Sequence, residues 1–184
     1  LVVVFHSRMG GRVYSFGFAG NGRLGKIGSK RTMEKVPVPI QNIKQIGGKS
    51  QGRSRRTKRS DMGGEKSVKA IAVGAQHSLA VSENGTLWGW GDNEYGQTGV
   101  EGELNGMKIS IVQEPREIRK LSQHRVEKIA CGSEYSLALT RSGDVFAWGR
   151  CEESQLGTGI GGSSARYEAS PTVIQALQDL HVVD

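Results

Sequence analysis

Apolar residues along this chain come in short runs of strand length. Val68, Ala70 and Ala72 alternate with Lys69, Ile71 and Val73, a run too brief for a helix and closed by Gly74. Ser78 to Ser82 is a second short run. Asn84-Gly85 follows, a dipeptide suited to a tight hairpin because both central residues of a type I′ turn need positive φ. Leu87-Trp88-Gly89-Trp90-Gly91 then reads as the return strand, its aromatics fitted to a pleated surface. No stretch of ten residues in this region keeps a 3.6 period without a glycine, so a helical solenoid is disfavoured.

The whole pattern is then written again. Val68 to Gly99 and Val126 to Gly157 align without a gap at an offset of 58, with 13 of 32 positions identical. A worn third copy, Gly11 to Gly17 and Gly22 to Gly25, matches Gly85 to Gly91 and Gly96 to Gly99 at an offset of 74. Each copy later reaches a proline, read as Pro39, Pro115 and Pro171, and a last, edge-like strand is expected in the short apolar segment that follows it. Several short strands, hairpin glycines and aromatics in each period of about 58 read as β-propeller blades. Glycine supports this: 27 of 184 residues is roughly double the ordinary usage, and the excess falls at recurring positions.

These residues resemble the regulator of chromosome condensation repeat family. Val68, Ile71, Ala72, Gly74, His77 to Ala80, Gly85, Trp90, Gly91, Asn93, Gly96, Gln97 and Gly99 fit its unit. So do Val126, Ile129, Ala130, Gly132, Ser136 to Leu139, Gly143, Val145, Trp148, Gly149 and Gln155 to Gly157. Tyr135, Cys151, Ser154 and Phe16 depart from it, where the family has His, Asn, Gly and Trp. The resemblance implies an all-β, seven-bladed propeller, of which this chain holds about three blades' worth as an open arc. The expected units are 1–43, 68–125 and 126–181, with a basic flexible insertion at 44–67. Because Leu1 to Phe5 reads as the inside of a strand and His181 to Asp184 resembles Arg125 to Lys128, a longer propeller is expected on both sides.

Charge changes the picture locally. From Lys44 to Lys66 the chain carries eight basic and two acidic residues, net +6, against +7 for the whole. The rest of the chain is thus nearly neutral, and the domain as a whole is not a basic nucleic-acid binder. With few apolar side chains, this stretch is expected to be a disordered loop. Measured from Pro39 to Val68, it adds 18 residues to the 11 that separate Pro115 from Val126. Arg53, Arg55, Arg56, Lys58 and Arg59 are the candidate binding residues, suited to an importin groove, nucleic acid or chromatin, or an anionic surface. Val100 to Gln113 is expected to be a smaller, mildly acidic loop, and Gly157 to Ser170 its Gly-Ser-rich counterpart.

Catalytic chemistry is not expected. Cys131 and Cys151 occupy non-equivalent repeat positions, with no spacing that suggests zinc or a disulfide framework. Cys131 fills an apolar strand slot and reads as an inert thiol. His77 reads as a turn histidine bonded to nearby backbone, and the tryptophans as core packing. No cofactor, metal site or membrane span is expected, and the nucleus, the cytoplasm or both is the expected compartment. Two functions follow from the resemblance: a protein-binding propeller whose loops dock another macromolecule, or guanine-nucleotide exchange on a small Ran-like GTPase, which the best-known family member performs.

Overall fold

A computed structural model describes residues 2–6, 13–18, 20–25, 33–40, 68–104, 106–159, 166–180 and 182. The strands are β1 (Val2–His6), β2 (Val13–Phe18), β3 (Met33–Pro39), β4 (Val68–Val73), β5 (His77–Ser82), β6 (Leu87–Asp92), β7 (Glu103–Leu104), β8 (Met107–Lys108), β9 (Ile111–Glu117), β10 (Val126–Cys131), β11 (Tyr135–Thr140), β12 (Val145–Arg150) and β13 (Tyr167–Val173). They form three separate antiparallel sheets, ordered β1-β2-β3, β4-β5-β6-β9 and β10-β11-β12-β13, with β7-β8 as a small hairpin. The repeat therefore folds as successive meander blades. In each blade the third strand of the sequence pattern sits between its hairpin partner and an outer strand supplied from further along the chain.

The outer strand contains the recurring proline instead of following it, as Pro115 in Ile111–Glu117 and Pro171 in Tyr167–Val173 show. In all three sheets its ladder breaks once, as between Gly89 and Gly91, where β9 is bulged. Proline has no N–H to give, so a bulge on an edge strand tolerates it. The register corrects one sequence expectation. Gly89 lies opposite Arg116 and Ser15 opposite Val38, so the equivalent of Pro115 is Pro37, not Pro39. Ile40 confirms this, since its N–H bonds to the Val13 carbonyl as Ile118 bonds to Leu87 and Ile174 to Val145. Spacing measured from glycines was misled by the unequal length of the β2–β3 connection. With Pro37 aligned, the insertion between blades one and two is two residues longer than the sequence spacing suggested.

Blades stack in chain order. β4 lies beside β1, and β10 beside β4 and β5, so innermost strands meet near the axis. The main core lies between sheets, joining Val13 and Ile40 of blade one, Leu79, Val81 and Trp90 of blade two, and Val126, Ala138 and Trp148 of blade three. Because each strand alternates its faces, a blade buries both: β5 is buried at all six positions. The Val100–Gln113 stretch is more structured than expected, since it contains the β7-β8 hairpin and the start of β9. Among the described residues, no helix is long and apolar enough to cross a membrane.

Candidate interaction surfaces

Three devices join one blade to the next. First, a tryptophan of each blade reaches back to a turn carbonyl of the preceding one: Trp90 Nε1 donates to the Arg23 carbonyl at 3.1 Å, and Trp148 Nε1 to that of Gln97 at 3.0 Å. Both rings are fully buried, and Gly25 and Gly99 lie against them where a side chain would collide. Second, a turn glycine of each blade abuts the next blade's outer strand. A Cβ on Gly22 would lie 2.8 Å from the Val112 carbonyl, and one on Gly96 2.5 Å from the backbone of Ala169. Third, His77 bridges blades two and three.

The His77 arrangement corrects the reading of a turn histidine bonded to local backbone. Its ring is buried at the start of β5, and Nε2 lies 2.9 Å from Ser136 Oγ in the next blade. Ser136 Oγ donates its own proton to the Gln97 carbonyl at 2.8 Å. The hydroxyl must then accept from His77, which fixes the neutral imidazole with its proton on Nε2. Nδ1 is buried with no partner. Burial pushes the His77 pKa down to about 4, because a charged ring there would have neither water nor an acceptor. Gly74 supplies the room, since a Cβ on it would lie 2.3 Å from the imidazole. Gly132 does the same for the ring of Tyr135, which stands in the equivalent place.

Cys151, one of the departures from the family pattern, leaves its loop held differently from that of Asn93. Asn93 is buried; its Nδ2 donates to the carbonyls of Val100 and Ile109, and its Oδ1 accepts from Thr98 N–H and Oγ1. One blade later the corresponding pair is Cys151 and Leu156, which pack in an apolar cluster with Ala147 and Ile174. Polar pair has been exchanged for apolar pair. Ser154, in place of Gly96, retains the left-handed turn with φ 56°. Cys131 is half-buried, and burial pushes its thiol up to about 12, so it is held as the unreactive thiol form.

Strand directions divide the loops into two rims. One rim holds the turns 20–25, 74–76 and 132–134 and the described parts of the long connections after β6 and β12. The other holds the hairpins 83–86 and 141–144 and the connection 118–125. Ile40 and Val68, which flank the insertion, both lie on this second rim. Arg53, Arg55, Arg56, Lys58 and Arg59 themselves fall outside the described residues, so the structure brings none of them to a site.

The first rim presents a cluster that sequence reasoning missed. Tyr95 and Tyr167 make an edge contact at 6.4 Å across the junction of blades two and three. Lys108 Nζ lies 4.3 Å above the Tyr167 ring, and the Arg150 guanidinium 5.5 Å above that of Tyr95. Arg150 is tied to Glu134 at 2.7 Å and to Glu152, bonds that raise its pKa and lower that of Glu152. Beneath them Gln97 links Asp92 Oδ2, at 2.6 Å, to the Tyr95 N–H. Burial raises the Asp92 pKa. Nothing in the repeat marks these tyrosines, because the equivalents of Tyr95 are Asn21 and Glu153, and that of Tyr167 is Ile111. Separately, a groove of about 790 Å³ runs along blade two, lined by Trp88, Val100, Ile109, Pro115 and Arg116 among others. Among the described residues, no group of three or more His, Cys, Asp or Glu side chains is placed to hold a metal.

Known proteins with the same pattern agree with this architecture. The human E3 ubiquitin-protein ligase HERC2 is 33% identical over 174 residues, covering 95% of this chain and 3% of that protein. The solved structure of Saccharomyces cerevisiae Prp20p, described with its binding properties to Gsp1p and histones, superposes with a TM-score of 0.68 at 18% identity. It covers 95% of this chain and 36% of Prp20p. Yeast Prp20 bound to Kap60 gives a TM-score of 0.66 at 22% identity, over 95% and 35% of the two chains. The chain thus spans a small part of these relatives' length. Family models of the regulator of chromosome condensation (RCC1) repeat match residues 68–97 and 126–155 in one form, and 10–81, 84–139 and 142–184 in another. With the tryptophan and glycine junctions repeated blade upon blade, this chain belongs to the regulator of chromosome condensation (RCC1) repeat family of β-propellers.

Proposed function

We propose that this chain is a protein-interaction propeller module, part of a larger protein, whose rim loops bind another macromolecule. One observation carries the reading. The blades keep their junction residues from copy to copy, while the loops that cap them differ in length, charge and aromatic content. In a repeat scaffold, partner choice resides where copies differ. The basic insertion is the largest such difference, and Arg53, Arg55, Arg56, Lys58 and Arg59 are its proposed contacts for an acidic partner or an import receptor. Replacing these five with alanine should abolish nuclear accumulation of a fused fluorescent protein. Unchanged accumulation would remove the insertion from this role. Phosphate-backbone contact is a further outcome: five contacts would lower log affinity with log salt at a slope of about −4.5.

A second reading is guanine-nucleotide exchange on a small Ran-like GTPase, favoured by the Gsp1p binding of Prp20p. Exchange stabilises the nucleotide-free GTPase and requires no bond chemistry from the propeller. Release of a fluorescent guanine nucleotide from preloaded Ran, with and without the intact protein, tests it directly. Unaccelerated release would leave the binding reading alone. The proposed compartment is the nucleus, the cytoplasm or both.

A further inference from the structure

Around blades two and three, the two rims differ in charge. The segments 92–108, 132–134 and 150–168 of the first rim, all in blades two and three, carry eight carboxylates and three cations, net −5, whereas the blade-one connection between β2 and β3 carries four cations, Arg23 among them. On the second rim, segments 82–87, 117–126 and 140–145 carry three carboxylates and four cations, net +1, before the +6 insertion that leaves from the same side. Glu94, Glu101, Glu103, Glu152 and Glu153 of the acidic rim are all exposed. Sequence order interleaves these segments, so the polarity exists only once the meander has sorted the loops to opposite ends.

In the middle of the acidic rim stands an ordered aromatic ridge. Tyr167 is 44% exposed although Tyr95 and Lys108 hold its ring in place. Met107, 70% exposed, and Ile111, 40% exposed, lie on the same rim. Of the four large hydrophobic residues most exposed among the described ones, three are therefore here, and the fourth is Leu180. Exposed aromatic and methionine side chains ringed by polar groups are the composition of a binding hot spot. The Tyr167 ring is already held by the Lys108–Tyr167–Tyr95–Arg150 ladder, so a partner packing on it loses less entropy.

Resting on the reading of this chain as an interaction module, we propose that the Tyr95–Tyr167 ridge is the docking site for a basic segment of another protein, one bearing an apolar or aromatic anchor. The anchor packs on Tyr167 and Met107. Lys or Arg residues on either side of it meet the exposed carboxylates. Charge complementarity selects this occupant over an acidic peptide or a nucleic acid, both of which the acidic loops of blades two and three around the ridge repel. The basic insertion leaves the opposite rim and is not needed for this contact.

The test uses fluorescently labelled synthetic peptides in four sets: basic with an aromatic anchor, basic without one, neutral with one, and acidic with one. Binding to the full chain is read by anisotropy. Basic, anchored peptides should bind tightest, and Tyr167→Ala should weaken them about tenfold, the scale of a truncated aromatic hot spot. Tyr167→Phe, which preserves the ring, should bind like the unaltered chain. Met107→Ser, at a site too exposed to disturb folding, should weaken binding severalfold, and alanine at the five insertion positions should have no effect. Preference for acidic peptides, or binding indifferent to both Tyr167→Ala and Met107→Ser, would overturn the proposal. So would failure of every set to bind. A protein that crosslinks equally to the unaltered and Tyr167→Ala chains would also overturn it while leaving the interaction-module reading intact. Absence of any peptide or protein binding would remove both.

Discussion

Acid should weaken this chain through His77. The folded ring titrates at about 4, against an ordinary histidine value of 6.5. Between those values the unfolded chain binds a proton that the folded chain refuses, so stability rises with pH across the window and falls as pH is lowered. Fully below pH 4, the two-and-a-half-unit difference is worth about 3 kcal/mol. At pH 5 the linkage expression gives about 2 kcal/mol lost relative to pH 8. The cause is geometric: Nε2–H is committed to Ser136 Oγ, and Nδ1 faces no acceptor. His77→Gln retains a donor for the hydroxyl and abolishes the titration. Urea unfolding of the two chains at pH 8 and pH 5 provides the assay, and the difference between their pH-induced losses isolates the imidazole. Asp92, raised by burial, acts with the opposite sign and cancels between the chains. Equal losses, within about 0.5 kcal/mol, would refute the reasoning, since that is the size expected of an ordinary surface change.

Four other substitutions probe the turns and loops of the first rim. Gly96→Ala should cost clearly more than Gly106→Ala in thermal unfolding: both glycines have φ between 75° and 79°, but only at Gly96 would the new Cβ meet backbone, that of Ala169 at 2.5 Å. Gly106→Ala should show little beyond about 1 kcal/mol of left-handed strain. Asn93→Ala should lower stability by about 3 kcal/mol by chemical denaturation, because two carbonyls and the Thr98 N–H are left buried without partners. Ser154→Gly should raise the melting temperature, relieving a φ of 56° worth about 1 kcal/mol and partly offset by the looser unfolded chain. A loss of stability there would show that the Ser154 side chain makes a contact that outweighs the strain.

Much of the fold was legible because strand formation here is local. Alternating apolar runs, Asn84-Gly85 and a period of 58 specify hairpins without knowledge of any distant residue, and repetition implies that neighbouring copies cover one another. The outer strand was less legible, since it joins the sheet across connections of unequal length. Only the ladder opposite Ser15 and Gly89 distinguishes Pro37 from Pro39.

By itself, then, the sequence determined the repeat, the all-β class, the family and the concentration of positive charge in one insertion. Tertiary structure alone decided that His77 bonds to a residue 59 positions away, and that Asn93 and Cys151 mark two alternative loop solutions, one polar and one apolar. It also decided that the acidic loops of blades two and three lie on the rim opposite Ile40 and Val68, the residues on either side of the basic stretch. The reason is that a meander reverses direction at every turn, so segments adjacent in the chain end on opposite faces, while segments a blade apart meet on one.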